Sequence, residues 1–519
     1  MEMNMSRLIT FRGGDLTIEQ IVAIAEGMSI SLSDDPVFKE KINRGAAFIE
    51  QLLKDDGVIY GVTTGYGDSC NVAVSPDLAG DLSLHLTRFH GCGLGDHFDP
   101  QQVRAILAAR LNSLSRGFSG VRYAVLEQLQ VLLNRNLLPR IPQEGSVGAS
   151  GDLTPLSYVA AVMIGERDVF HEGRLHSTKE VFAELDIAPI NLRPKEGLAL
   201  MNGTAVMTGI ACLSFERAAY LSKLATRITA MMSVALQGND FHFDEALFAV
   251  KPHPGQQKVA EWLRSDLQAE CPPRNSNRLQ DRYSIRCAPH VIGVLEDSLP
   301  WLRMMIENEL NSSNDNPIID PVNERVLHGG HFYGGHVAMA MDSLKIAVAN
   351  LADLLDRQMA QLMDYKFNNG LPHNLVGAEG DRRAVNHGFK AVQIGVSAWT
   401  AEALKHTMPA SAFSRSTECH NQDKVSMGTI AARDCVRVLE LTEQVAAASL
   451  LAATQAIEIR KKHGELDDHH FSAALREMSK TVLVDFELVV EDRPLESDLR
   501  RCMERIRSRY WKLYLKAEL

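Results

Sequence analysis

No stretch of this 519-residue chain approaches the roughly 20 consecutive apolar residues of a membrane-spanning helix, which argues against a bilayer as its surroundings. The opening residues, MEMNMSRLITFRGG, lack the apolar core and small-residue cleavage site of a secretory signal. Basic residues are in deficit. There are 54 lysines and arginines against 65 aspartates and glutamates, a formal charge of −11. That balance disfavours nucleic acid and anionic membrane as main partners. The eight cysteines (Cys70, Cys92, Cys212, Cys271, Cys287, Cys419, Cys435 and Cys502) are scattered, with no CxxC pair. Free thiols in a reducing cytoplasm are expected.

Signatures of common cofactors and nucleophiles are missing too. The small-residue stretch GSVGASGDLTPLS, Gly145 to Ser157, has no lysine of a phosphate loop, and Asp152 stands where an anion would sit. Gly148-Ala149-Ser150-Gly151 does not fit GxSxG. Asp467, Asp468, His469 and His470 have no third spaced ligand and read as a solvated turn. His85, His90 and His97 lack the spacing of a zinc helix, so no metal is expected.

What the chain does have is helical periodicity. Ile210 to Gln237, His336 to Asn369 and Thr429 to His463 contain neither glycine nor proline. In the second, Leu344, Val348, Leu351, Leu355 and Leu362 step by helical intervals. At ~1.5 Å per residue such segments form rods of about 40–50 Å, which pack together, often across subunits. Shorter patterns such as Gln101 to Arg116, and the apolar pattern from Tyr158, alternate with glycine-rich turns in the first 200 residues. These features predict a mostly α protein: a mixed domain over 1–200 carrying the GSVGASGD loop, then a long-helix bundle with C-terminal helices over 201–519.

Ala149-Ser150-Gly151 has a rarer use than cradling an anion. If the chain bends sharply, the Gly151 nitrogen can attack the Ala149 carbonyl. Loss of two waters then gives a five-membered ring with a methylidene derived from Ser150. Small neighbours are required, and glycine permits the backbone excursion. Three residues alone are a weak signal, so the rest of the chain must decide.

The other blocks are YGVTTGYG (60–67), EGLALMNGT (196–204), YSIRCAPHVIG (283–293), ELNSSNDNP (309–317), LHGGHFYGGHVAMAMD (327–342) and HNQDKVSMG (420–428). With GSVGASGDLTPLS, and in this order, they resemble the aromatic amino acid lyase family from about residue 10 to the C-terminus. That family comprises histidine, phenylalanine and tyrosine ammonia-lyases and the related 2,3-aminomutases. Its electrophile is 4-methylidene-imidazole-5-one (MIO). The resemblance implies the aromatic ammonia-lyase fold, an MIO made autocatalytically from Ala149, Ser150 and Gly151, no metal, and a homotetramer whose sites draw on three subunits.

Residue roles follow from the same resemblance. Tyr60 is the base for the β-proton. A phenol's ordinary pKa near 10 must be lowered, or its phenolate stabilised. Gly61, Gly65 and Gly67 suggest a pliable loop around it. Arg286 matches a partner for the substrate carboxylate, assisted by Asn316. Asn202 and Tyr283 resemble residues that stabilise negative charge on the MIO ring. Gln280, Asn421 and Gln422 match polar pocket positions, and Phe332 an aromatic packed near the ring. His331 replaces a common asparagine and is expected to alter the wall beside Phe332.

Phe89 and His90 align with the pair that tracks substrate choice in this family. Phe-His mixes the usual patterns. His90 can bond a phenolic hydroxyl, and Phe89 offers an apolar wall. Gln422 stands where histidine-specific members carry glutamate. Glu418 and Lys390 match phenylalanine lyases and can pair if close. The leading expectation is L-tyrosine giving trans-4-coumarate. Phenylalanine or histidine as substrate, a 2,3-aminomutase, and an inactive scaffold are the alternatives.

Overall fold

The structure, a computed structural model, describes residues 8–55, 57–269, 278–470 and 472–515. Helices dominate. Four long ones span Ala205–Ala235, Ala288–Leu310, Gly335–Met363 and Gly428–Lys462. Three of them lie on the glycine- and proline-free segments. In Gly335–Met363 the stripe Leu344, Val348, Leu351, Leu355 and Leu362 is wholly buried, each side chain contributing about 1.5–3 kcal/mol as an upper figure. Ala288–Leu310 carries Pro300 in its interior, on an exposed position. A search for proline-free runs passes over such a helix.

The chain packs into two compact units. One holds Met1–Glu216, Leu302–Asp342 and Pro409–Arg433; the other holds Arg217–Trp301, Ser343–Met408 and Asp434–Leu519. The sequence suggested a single boundary near residue 200. The observed division runs through the long helices instead, and two later segments join the N-terminal residues.

The first unit contains all the strands among the described residues, each two to four residues long. Ile9–Phe11 pairs in parallel with Ile30–Leu32, Leu94–His97 pairs with Pro142–Glu144, and Leu138–Pro139, Asp168–His171 and Arg174–Ser177 form a three-stranded sheet. Ile318–Asp320 and Arg325–Leu327 make a hairpin. The unit's central helix, Pro100–Ser115, starts from a capping box between Asp99 and Gln102 with proline in its first turn. It is buried from Gln102 to Ser115. The helix Leu153–Met163 begins at Leu153, ahead of the pattern from Tyr158, because Thr154 and Pro155 suit a first turn. Ile59 and Val62 pack with Ile49, Ala79 and Ile319, fixing the chain on both sides of Tyr60.

Buried ion pairs tie the second unit internally. Arg217 meets Glu443 at 2.8 Å and Arg227 meets Asp266 at 2.7 Å. Helices Ala473–Leu483 and Glu496–Arg507 end the chain. Asp467 accepts from the His469 amide and contacts His470 Nδ1 at 2.8 Å, folding that charged group into an exposed turn. None of the seven cysteines among the described residues is in a disulfide, and Cys271 lies outside them. No helix among the described residues is long and apolar enough to cross a membrane.

Candidate active site

The GSVGASGD stretch is a tightly clasped loop. Gly151 has φ +72°, and a Cβ there would lie 2.1 Å from the Gly203 carbonyl oxygen. Only glycine combines that left-handed backbone with so close an approach. The Asp152 amide donates to Gly203 O at 2.7 Å. Two donors converge on the Ser150 carbonyl oxygen: Asn202 Nδ2 at 2.8 Å and the Gly203 amide at 3.3 Å. Gln422 Nε2 donates to Ser150 Oγ at 3.1 Å. The Met427 amide closes the clasp on Val147 O at 3.0 Å.

Asp152 is fully buried. Its Oδ2 accepts from the Val206 and Met207 amides, both at 3.0 Å, capping the helix Ala205–Ala235 from a remote loop. Its Oδ1 accepts from Ser146 Oγ at 3.2 Å and from the hydroxyl of Thr429. Burial pushes its carboxyl up to about 6, although all four donors favour the charged form.

Tyr60 sits in the neighbouring loop with its hydroxyl oxygen accepting from the Gly67 amide at 2.7 Å. Its pKa is nevertheless raised. Burial is the largest cause, the Gly67 bond opposes it, and the Glu418 charge adds to it. The Gly67 amide thus favours the phenolate locally, while burial keeps the phenol's pKa raised. The loop glycines answer to packing more than to pliability. At Gly67, φ is +58° and a Cβ would strike the Glu418 carboxylate at 2.4 Å.

These groups share one cleft of about 980 Å³, built within the first unit. Tyr60, Ala149, Ser150 and Asn202 line it. Phe89 and His90, at the end of the helix Ala79–Phe89, form another part of its lining. Asn316, Phe332, Asn421 and Gln422 also line it. The Asn316 amide donates to Asn202 Oδ1 at 2.6 Å, and Asn316 Oδ1 accepts from the Gly329 amide at 2.8 Å. Phe89 and His90 lie with ring centroids 4.3 Å apart. His90 Nδ1 is 3.0 Å from Leu86 O. A carbonyl can only accept, so Nδ1 carries the proton and Nε2 is left as an acceptor. Burial, aided by the Arg167 charge, lowers the pKa of His90 and keeps it neutral, against the Leu86 bond.

Residues 16–482 match the family described as aromatic amino acid lyase. This chain belongs to that family. The histidine ammonia-lyase of Caldanaerobacter subterraneus subsp. tengcongensis is 36% identical over 505 residues, covering 96% of each chain. Among solved structures, the tyrosine aminomutase of Streptomyces globisporus superimposes with a TM-score of 0.89 at 33% identity, over 96% of this chain and 97% of that one. The histidine ammonia-lyase of Trypanosoma cruzi gives 0.86 at 31% identity, over 96% and 93%. The lyase is therefore a carbon–nitrogen lyase of a family that depends on MIO.

Other expected residues of the lyase stand elsewhere. Gln280, Tyr283 and Arg286 belong to the second unit. Tyr283 is 72% exposed. Arg286 stacks on its ring at 4.7 Å and donates from Nε to Asp281 O at 3.0 Å. Lys390 starts a helix of the second unit, and within the first unit the Glu418 carboxylate accepts from the Asp68 amide at 3.1 Å. His331 is exposed and outside the lining. His328 lines the cleft instead, edge-on to Tyr60 with centroids 6.5 Å apart. His328 lies inside the block LHGGHF, but nothing in the sequence singled it out over His331. Tyr66 was also missed. Its largely buried ring packs edge-on to Tyr60 with centroids 6.4 Å apart.

Proposed function

We propose that the lyase eliminates ammonia from L-tyrosine to give trans-4-coumarate. The observation that carries the choice of ring is the tautomer of His90. Its Nε2 can only accept, and a phenolic hydroxyl is a donor that fits. Phenylalanine would leave that nitrogen unpaired, which a partly buried site penalises. Phe89 supplies an apolar surface for the ring.

Ala149, Ser150 and Gly151 fit a precursor of MIO. The left-handed Gly151 and the two donors on Ser150 O are the features a cyclised loop needs. Once formed, the group supplies an electrophile that takes up the substrate amine and makes it a better leaving group. Around it, Tyr60 removes the β-proton, and the Gly67 amide steadies the phenolate. Asn202 Nδ2 and the Gly203 amide hold negative charge at the Ser150 oxygen.

Arg286 and Asn316 bind the substrate carboxylate. In this reading Arg286, Tyr283 and Gln280 reach each cleft from neighbouring copies of a homotetramer. The exposure of Tyr283 supports that arrangement. Cysteines that form no disulfide among the described residues support a cytoplasmic enzyme.

Histidine is the second reading. The histidine ammonia-lyase relative favours it, and an imidazole N–H is also a donor for His90 Nε2. Against it, Gln422 offers an amide where histidine-specific members carry a carboxylate. Incubation with tyrosine, phenylalanine and histidine separately, with products analysed, decides. Coumarate from tyrosine at the highest kcat/KM is expected. β-Tyrosine would mean a 2,3-aminomutase, and preferred turnover of histidine would overturn the tyrosine reading. The intact protein should weigh two waters less than its sequence, and Ser150→Ala should restore that mass and abolish turnover.

A further inference from the structure

Arg110 is a wholly buried arginine in the central helix Pro100–Ser115. A buried guanidinium ordinarily sits in a contact ion pair. This one donates to no carboxylate. Nη1 donates to Asn202 O at 2.9 Å, Nη2 donates to Ser113 Oγ at 3.0 Å, and Nε has no hydrogen-bond partner among the described residues. The nearby carboxylates are engaged by other groups. Asp315 takes Lys195 Nζ at 2.6 Å and Ser119 Oγ at 3.0 Å. Asp152 takes the helix amides and hydroxyls already described. Burial pulls the guanidinium's pKa down to about 10, while the charges of Asp315 and Asp152 hold it up, so the group is cationic at neutral pH.

The position of this charge is specific. A Cβ on Gly203 would lie 2.1 Å from Arg110 Nη1, so the guanidinium rests directly against that backbone. Its second arm reaches the same segment through a chain of bonds. Ser113 Oγ donates to Asn314 Oδ1 at 3.3 Å, and that oxygen accepts from the Thr204 amide at 3.3 Å. One peptide group therefore separates the cation from the loop oxygen. The carbonyl of the Asn202–Gly203 peptide accepts from Arg110, and its N–H donates to Ser150 O.

We propose that Arg110 is a positioning residue that activates the Ala149-Ser150-Gly151 electrophile through the Asn202–Gly203 peptide. A peptide whose carbonyl is held by a cation is a stronger donor at its N–H, because bonds in a chain polarise one another. Addition of a nucleophile to a methylidene derived from Ser150 would move electron density onto Ser150 O. The Gly203 amide and Asn202 Nδ2 meet it there, and the Arg110 charge stands behind them in a water-poor interior. The guanidinium touches neither substrate nor the reacting carbon.

This inference rests on the MIO reading, and the test separates the two. Intact mass of the wild-type protein examines the MIO reading: absence of the two-water deficit sinks it, whatever Arg110 does. For Arg110, full-length Arg110→Gln and Arg110→Lys are prepared, and the rate at which cyanide adds to the protein is followed by mass and absorbance. The expected result for Arg110→Gln is a retained mass deficit with cyanide addition slowed about 10-fold or more, below the ~100-fold or greater cost of removing a direct donor. Arg110→Lys should fall between the two, because the ammonium keeps the charge but not the fork. In both, kcat should fall in step with cyanide addition while KM changes little. If Arg110→Gln fails to accumulate as folded protein, Arg110→Lys carries the comparison alone. A dehydrated variant that adds cyanide at the wild-type rate overturns the proposal. So does loss of the mass deficit in both variants, which would confine Arg110 to folding or ring formation.

Discussion

Tyr60 and Glu418 are held by consecutive amides of one short turn. The Gly67 N–H donates to the Tyr60 hydroxyl oxygen at 2.7 Å, and the Asp68 N–H donates to the Glu418 carboxylate at 3.1 Å. The arrangement brings a carboxylate to a phenol that, in the proposed mechanism, must ionise to act as base. Burial is the main reason the pKa of Tyr60 is raised, and the Glu418 charge adds to it. Glu418→Gln removes the charge and keeps an oxygen for Asp68. Phenolate increases with pH, so removing the negative charge should move the rising limb of kcat/KM toward lower pH. A limb that stays in place, or moves upward, shows that the two groups are not coupled.

His90→Leu tests the reading of the ring hydroxyl. The variant removes the Nε2 acceptor and leaves an apolar wall beside Phe89. The ratio of kcat/KM for tyrosine over phenylalanine should fall by about 10- to 100-fold, the scale of one hydrogen bond in a built pocket. An unchanged ratio would show that His90 does not contact the substituent.

Asp152 should imprint its titration on stability. Its pKa is raised from 3.8 to about 6 by burial, against the bonds from Thr429, Met207, Ser146 and Val206. Below 3.8 both folded and unfolded chains hold the proton. Between there and about 6 the unfolded chain has lost it while the folded chain keeps it, so stability falls as pH rises through that window. Asp152→Asn is neutral throughout and retains an acceptor for the helix amides. Thermal midpoints measured from pH 4 to 6 should therefore decline less in the variant. Parallel curves would mean that Asp152 does not titrate there.

Much of this was legible in sequence because the relevant signals are local. The helical stripe on Leu344, Val348, Leu351, Leu355 and Leu362 reads directly as a buried face. The small residues of Gly145 to Asp152 announce a loop under tight constraint. What sequence did not reveal is pairing at long range. Nothing in Pro100–Ser115 says that Arg110 lies under Gly203, since 92 residues separate it from Asn202. The choice of His328 over His331 depends on how the segment after Leu327 turns, which composition does not encode. Ala288–Leu310 was hidden by Pro300, a residue tolerated at that exposed position. The tie of Glu418 to Asp68 likewise depends on a fold in which residues 350 apart meet.

The clasp around Ser150 also sets a timetable for making the protein. Gln422 reaches Ser150 from 272 residues downstream, and Thr429 reaches Asp152 from 277. A ribosome adding ~5–20 residues per second needs tens of seconds to supply those partners after the loop itself has emerged. Until then the loop has neither the amide on its hydroxyl nor the hydroxyl on its aspartate. Under the proposed MIO reading, any maturation that uses these two bonds waits until residues 422 and 429 have been made, and a chain truncated before residue 420 would carry the tripeptide without them.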